Sequence, residues 1–234
     1  MTNLNGKVIA ITGIDTGVGK TIVTGLLARA LRESGQRVIT LKPVETGGSG
    51  VSSDIVRHRE IMGIPLQEVD RDGTTCPYLF RHPASPHLAA ALEEQVIDLC
   101  VIDEATRRLQ AGYDTVLLEG AGGLLVPLGE QMLFADYLKE RHYPLVLVSS
   151  SRLGSINHTL LTLEACRKRG LQLKGLFYNL AGSADSIIAE DTLTVLGNAL
   201  GTYCYDCPVV ELPDLEKRSL VLTNEELSKI CHEP

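Results

Sequence analysis

Basic charge is in short supply in this sequence: 22 lysines and arginines stand against 29 aspartates and glutamates, a net charge of −7 over 234 residues. A general grip on nucleic acid works by displacing counterions with a basic field, so nucleic acid is not an expected partner. Small anions stay in play, because a helix N-terminus binds phosphate on an acidic protein too. No apolar run approaches the ~18 residues that the shortest membrane-spanning helices need, and residues 1–7 carry no long apolar region or cleavage site. The expectation is a soluble, cytoplasmic chain with no membrane partner.

Cysteine pairing is equally sparse. The six cysteines lie scattered at 76, 100, 166, 204, 207 and 231, and only Cys204 and Cys207 make a CxxC. No second pair stands at the spacing of a zinc site. Tyr203, Tyr205 and the following Pro208-Val-Val read as strand, whereas a redox pair belongs at the start of a helix; reduced, structural cysteines are expected. Internal repeats, low-complexity tracts and domain-dividing linkers are absent as well, so one domain over 1–234 is expected. A composition of 44% hydrophobic and 22% charged residues is that of a globular chain. A chain this long buries about 70% of the surface its unfolded form exposes, and needs no staple.

What is present is an alternation of short apolar runs with amphipathic stretches. Runs at 7–12, 37–41, 114–119, 144–148, 173–179 and 209–212 read as strands. Helical spacing marks 20–34, 54–62, 88–93, 98–110, 134–141, 156–169 and 184–200, with Gly35 and Gly170 placed as C-cap glycines. Asp54 is placed as the N-cap of its helix. The Gly/Ser-rich stretch 43–53 reads as a loop, and 74–87, with its three prolines, as irregular. Strands alternating with helices predict an α/β fold: a doubly wound, mostly parallel sheet with helices on both faces. Such sheets bind ligands beyond the carboxyl ends of their strands, where the polar and glycine-rich segments 13–21, 42–53, 119–123, 149–157 and Asn179 all fall.

The segment 13–21, Gly-Ile-Asp-Thr-Gly-Val-Gly-Lys-Thr, sits between a buried strand and an amphipathic helix. Phosphate oxygens need backbone N–H donors pointing inward, which glycines permit, and they gain from the positive helix end. Lys20 then reaches the β and γ phosphates and the Thr21 hydroxyl ligates Mg²⁺, the P-loop NTPase arrangement. The strict spacing fails, because Ile14 stands where its first glycine belongs. Glu119, at a strand end, is placed to hold the metal or its water shell. Asp54 either caps a helix or faces the same metal. Lys42 either holds an anionic intermediate or lies on the surface.

Taken as a set, these segments resemble the dethiobiotin synthetase family. The stretches that carry the resemblance are 12–21, Lys42-Pro-Val-Glu-Thr-Gly, Ser53-Asp54, Ala84-Ser-Pro-His, Glu119-Gly-Ala-Gly-Gly, Phe134-Ala-Asp, Leu153-Gly-Ser-Ile-Asn-His and Glu211-Leu-Pro. They run in the family's order with similar gaps over nearly the whole chain. The resemblance implies a homodimeric enzyme that takes 7,8-diaminononanoate, CO₂ and MgATP, and closes a cyclic urea through a carbamate and a carbamic–phosphoric anhydride.

By matching position, Lys20 and Lys42 are its catalytic cations. Thr16, Gly17, Val18, Gly19, Lys20 and Thr21 hold ATP, and Thr21, Asp54 and Glu119 surround Mg²⁺. Gly120, Ala121 and Gly122 border the nucleotide, with Asn179, Leu212 and Pro213 around the base. Thr46, Ser85, Gly123, Gly154, Ser155 and Asn157 line the substrate cleft. His87 and His158 read as packing or hydrogen-bonding residues, and the other histidines show no ligand spacing. Leu180 departs from an expected Asp after Asn179, which bears on nucleotide choice, and the region after Asp214 matches poorly.

Partitioning-type ATPases, which switch partners with their nucleotide, are a second reading. They carry an additional lysine five residues before the main one, where this chain has Asp15, and the membrane-targeting ones end in a basic helix, where 224–234 is acidic. A small-molecule kinase leaves the anion pocket at Lys42 without a purpose.

Overall fold

The computed structural model describes residues 6–130, 132–181, 186–212 and 223–231. Six strands form one parallel sheet in the order β2-β5-β1-β6-β7-β8: β1 (Lys7–Gly13), β2 (Val38–Leu41), β5 (Thr115–Gly123), β6 (Leu145–Ser150), β7 (Leu173–Asn179) and β8 (Val209–Leu212). The chain leaves β1 through α1 (Lys20–Glu33), reaches the sheet edge at β2, returns to β5 beside β1, and then builds outward through β6, β7 and β8. That reversal beside β1 makes the crevice at the strands' carboxyl ends.

Period-2 alternation divides each strand between two cores. Ile9 and Ile11 of β1, Val38 of β2, Leu117 of β5 and Val146 and Val148 of β6 face one cluster with Leu27 and Leu31 of α1, Met62 of α2 (Ser53–Met62) and Ile230 of α9 (Asn224–Cys231). Val8, Ala10, Ile39, Leu41, Val116, Leu118, Leu145 and Leu147 face the other. There they meet α4 (Pro86–Leu92), α5 (Leu99–Gly112), α6 (Phe134–Glu140), α7 (Ser155–Arg169) and α8 (Ser186–Thr202). Helices thus cover both faces, as parallel strands that are apolar throughout require.

Four local expectations are corrected. Residues 43–53 are not all loop: β3 (Val44–Thr46) pairs in parallel with β4 (Tyr78–Phe80) in a separate two-stranded sheet. Three-residue strands hemmed by prolines are too short for alternation to show. Ser52, not Asp54, caps α2, its Oγ accepting from Ile55 N at 3.0 Å. Glu119 does not end its strand, since β5 runs on to Gly123, paired with Gly13. Tyr203 to Tyr205 is a turn that closes α8 by bonds back to Ala199, Gly201 and Leu200, with Cys204 at φ +58°, so only Val209–Leu212 is extended. The helix α3 (Glu68–Arg71) and α9 were not foreseen. Pro213, Asp214 and positions 184–185 of the predicted helix lie outside the described residues.

Candidate active site

Strand β1 ends in the phosphate loop, and Ile14 N bonds to Val148 O at 3.0 Å, tying the loop to β6. Gly19 occupies the N-cap of α1 at φ +103°, a left-handed backbone in which a side chain is strained. A Cβ there would also stand 2.6 Å from Asn179 Nδ2. Lys20 is 6% exposed, and its Nζ donates to Asp15 O at 2.9 Å, so the ammonium lies folded over the loop. Burial, and next to it repulsion from Lys42, push the Lys20 ammonium down to about 8. Asp15 pairs with Arg152 of the β6–α7 segment, so the place of the partitioning proteins' additional lysine is taken by a carboxylate in an ion pair.

Four of the expected site residues meet beside Lys20. Thr21 Oγ1 donates within reach of Asp54 Oδ1 (2.9 Å) and Glu119 Oε1 (3.1 Å). Lys42 Nζ lies 2.6 Å from Asp54 Oδ2 and 2.8 Å from Glu119 Oε1, and donates to Gly120 O at 3.3 Å. Lys42 and Glu119 are buried, so Lys42 is not a surface lysine. Burial works against the Lys42 charge, but Glu119 and Asp54 outweigh it and hold its pKa above the ordinary lysine value. Burial likewise opposes the Glu119 carboxylate, while Lys42 and His58 hold its pKa well below the usual range.

A second layer of side chains was not anticipated. His58 is fully buried; its Nε2 lies 2.7 Å from Glu119 Oε2 and its Nδ1 2.9 Å from Thr40 Oγ1. Arg59 donates to the same Thr40 oxygen at 2.8 Å and forms a two-pronged pair with Asp70 at 2.9 and 2.7 Å. The signal was in the helix: Ile55, His58, Arg59 and Met62 are its buried residues, the i, i+3, i+4, i+7 stripe of a core-facing helix. A histidine and an arginine on that stripe must have polar partners. Glu45 belongs to the same support. Its carboxylate accepts from Ser53 N at 2.9 Å and from the Ser52 and Ser53 hydroxyls, fixing the turn that presents Asp54.

The remaining expected residues divide. Gly123 and Asp15 line a groove of about 410 Å³ with Ile14, Leu125, Leu161 and His158. His158 is exposed there, and His87 is exposed too. Thr46 ends β3, and Gly47 beside it approaches Pro83, just ahead of Ser85, the N-cap of α4. Gly154 (φ +94°) is the N-cap of α7; Asn157 is exposed, but Ser155 is buried and its N–H is taken by Arg152 O at 3.1 Å. Asn179 donates to Val18 O and accepts from Ala181 N, each at 2.9 Å, so both ends of its amide brace the chain itself. Leu212 has its side chain fully buried in the α1-side core, and its carbonyl accepts from Leu180 N.

Among the described residues no helix is long and apolar enough to cross a membrane, and no group of three or more His, Cys, Asp or Glu side chains gathers to hold a metal ion. Thr16 to Thr21 form the turn from strand to helix, with two carboxylates and a second lysine beside it.

Comparison with known proteins agrees with this architecture. A family described as an AAA domain matches residues 7–200. The ATP-dependent dethiobiotin synthetase BioD of Chlorobaculum tepidum is 55% identical over 99% of this chain and 96% of its own length. The BioD 2 proteins of Haemophilus influenzae and Pasteurella multocida are 53% and 47% identical over 74% and 84% of this chain, and 91% and 92% of theirs. Among solved structures, a ParA family ATPase from Chlorobium tepidum aligns with TM-score 0.53 at 15% identity over 98% of this chain and 93% of its own. The pNOB8 ParA bound to nonspecific DNA aligns with TM-score 0.56 at 14% identity over 96% and 97%. At such identities the structural likeness speaks for the fold, a mostly parallel six-stranded sheet of the P-loop NTPase type, and for nothing finer. Identity of 55% along nearly the full length of both chains speaks for more: this chain belongs to the dethiobiotin synthetase family.

Proposed function

We propose that this chain is an ATP-dependent cyclo-ligase of biotin biosynthesis, which carboxylates 7,8-diaminononanoate with CO₂ and closes the product to dethiobiotin, releasing ADP and phosphate. The observation that carries this reading is the meeting of Thr21, Lys42, Asp54 and Glu119 within hydrogen-bond distance beside the phosphate loop. A partitioning-type switch keeps its additional lysine five residues before the main one, where this chain has Asp15, and not at the place of Lys42.

The donor set fits Mg²⁺. A hydroxyl and two carboxylates are hard oxygen ligands, too few for a closed cage, and Mg²⁺ characteristically keeps waters and completes its shell from phosphates. Thr21, Asp54 and Glu119 would hold it; bound there, it offsets charge on the β and γ phosphates during transfer. The chain's own cations do the rest. Lys20 meets the phosphates together with the loop amides from Thr16 to Gly19. Lys42 offsets the repulsion between an anionic carbamate and the γ-phosphate.

One amine of the substrate adds to CO₂ and loses a proton, giving the carbamate. A carbamate oxygen attacks the γ-phosphorus and displaces ADP. The second amine then attacks the carbamoyl carbon, phosphate leaves, and the five-membered urea closes, a step that depends on proximity. Thr46, Ser85 and the Gly120 to Gly123 backbone border the reacting end of the diamine. The groove at Gly123, apolar along Leu125 and Leu161, suits its methylene chain, and the α7 N-terminus with Asn157 suits its carboxylate. Leu125 and Leu161 are exposed along this groove, and a second copy of the chain covering them makes the homodimer.

The test is ADP release that requires diaminononanoate and bicarbonate together. Turnover that ignores both and responds to DNA or membrane overturns the reading in favour of the switch.

A further inference from the structure

Glu119 has two carboxylate oxygens, and they lead different lives. Oε1 faces the site, within 2.8 Å of Lys42 Nζ and 3.1 Å of Thr21 Oγ1. Oε2 points away and meets His58 Nε2 at 2.7 Å. We infer that His58 is a positioning residue for the reaction: its ring holds Glu119 Oε2 so that Oε1 alone is presented to the metal and to Lys42. This rests on the magnesium reading of the site.

The terminal torsion of a glutamate is soft and roughly two-fold. Left to itself, the Glu119 carboxylate beside a buried ammonium would rotate to give both oxygens to Lys42. One hydrogen bond to Oε2 removes that freedom. An ionised carboxylate only accepts, so Nε2 carries the hydrogen. On its other side the ring's Nδ1 lies 2.9 Å from Thr40 Oγ1, the oxygen that also accepts from Arg59 Nη1 at 2.8 Å. Both ring nitrogens are thus engaged, and the ring cannot turn without losing a partner.

The brace is itself anchored. Arg59 is locked by both oxygens of Asp70 at 2.7 and 2.9 Å, and Thr40 sits on β2, the strand that pairs with the Glu119 strand through Thr40↔Leu117. Four consecutive buried contacts therefore run from Asp70 through Arg59, Thr40 and His58 to Glu119. A histidine that merely filled space in the core would not need the oxygen of the site carboxylate. Groups behind metal ligands that fix their orientation characteristically change metal affinity about 10–100-fold when removed.

Two substitutions separate the halves of the ring. His58→Asn keeps a polar atom near the Nδ1 position, toward Thr40, and loses the donor to Glu119; His58→Gln keeps a donor near the Nε2 position and loses the Thr40 partner. The readout is the Mg²⁺ concentration that half-saturates binding of a non-hydrolysable ATP analogue by the full chain, with unliganded melting temperature alongside. We expect about a tenfold or larger rise for His58→Asn and less than about threefold for His58→Gln, with the two melting temperatures moving alike. Equal shifts in both variants, or shifts that follow melting temperature, overturn the inference alone. Analogue binding that ignores Mg²⁺ in the unmodified protein overturns the magnesium reading, and the inference with it. Nitrogen NMR of the unmodified chain gives a check that needs no variant: His58 Nε2 should carry a hydrogen, and a bare Nε2 sinks the idea.

Discussion

The Lys42 ammonium and the Glu119 carboxylate stand 2.8 Å apart at the mouth of the phosphate loop, both buried, each charged in part because the other is. They are 77 residues apart in sequence. Their meeting depends on β2 pairing with β5 in register, Leu41 opposite Leu118, so that the next residue of each strand emerges at the same level.

Replacing one member of such a pair has two separable effects. Lys42→Gln leaves Glu119 with His58 and Thr21 but without its counter-charge. Removing one partner of a buried ion pair costs about 3–5 kcal/mol, and Asp54 loses the same counter-charge. ATP binding should survive, since Lys20 and the loop amides are untouched, whereas turnover should fall by about a hundredfold or more. Steady-state ADP release and calorimetric ATP binding on the same preparation check both halves, and turnover near wild type would make Lys42 a bystander.

Lys20 gives the site a pH dependence of definite sign. Its folded value of about 8 lies below the ordinary 10.5. Phosphates take the protonated form, so nucleotide affinity should hold below pH 8 and decline above it, by up to about tenfold per unit. Binding near pH 8.5 should take up a proton, visible as a dependence of the binding enthalpy on the buffer's ionisation heat. Stability carries the opposite trend. Between about 8 and 10.5 the unfolded chain holds the proton that the folded chain has released, so the Lys20 contribution to stability grows as pH rises through that window. Lys20→Met removes both slopes; an unmodified protein with no proton uptake at pH 8.5 contradicts the assignment.

The loop and the strands were legible because their rules are local. A buried run followed by Gly17, Gly19, Lys20 and Thr21 admits few structures, and the period-2 and helical spacings placed all six strands of the main sheet. Legibility failed where the cause is distant in sequence. His58 and Arg59 lie on the core stripe of a short helix, but their partners Glu119, Thr40 and Asp70 come from other elements, so no spacing rule could name them. The strands β3 and β4 are too short to alternate. Leu212 ends a strand on the ligand side, yet its side-chain direction depends on strand parity against α1, and parity sends it into the core.

Asn179 makes a prediction that separates two roles. If its amide reads the base, Asn179→Ala should weaken ATP binding and change the preference over GTP. The structure has its Nδ2 on Val18 O and its Oδ1 on Ala181 N, which braces the loop whose amides meet phosphate. On that geometry Asn179→Ala should weaken ATP and GTP binding by the same factor, several-fold each, and competition binding of the two nucleotides measures it. Gly19→Ala should be worse than either. A side chain at φ +103° costs about 1–3 kcal/mol, and its Cβ would displace the Asn179 amide as well.

The pair farthest from the chemistry offers the sharpest stability test. Arg59 and Asp70 are 2% and 5% exposed and joined by two hydrogen bonds. Asp70→Ala strands the guanidinium among Thr40, Met62 and apolar neighbours, with an expected loss of about 3–5 kcal/mol in urea denaturation. Arg59→Met alone should cost less, because Asp70 keeps the Gln67 N–H and the Thr75 hydroxyl as donors, at 2.7 and 2.8 Å. Arg59→Met with Asp70→Leu removes both charges and should recover much of the loss, since apolar replacement of a buried pair is often neutral or better. The shortfall from additivity measures the coupling, expected at about 1–3 kcal/mol for residues in contact. Near-additive losses, or an Asp70→Ala cost below about 1 kcal/mol, would mean that water reaches Arg59. In that case Thr40 is not held by a rigid neighbour, and the support behind Glu119 begins at His58 rather than at Asp70.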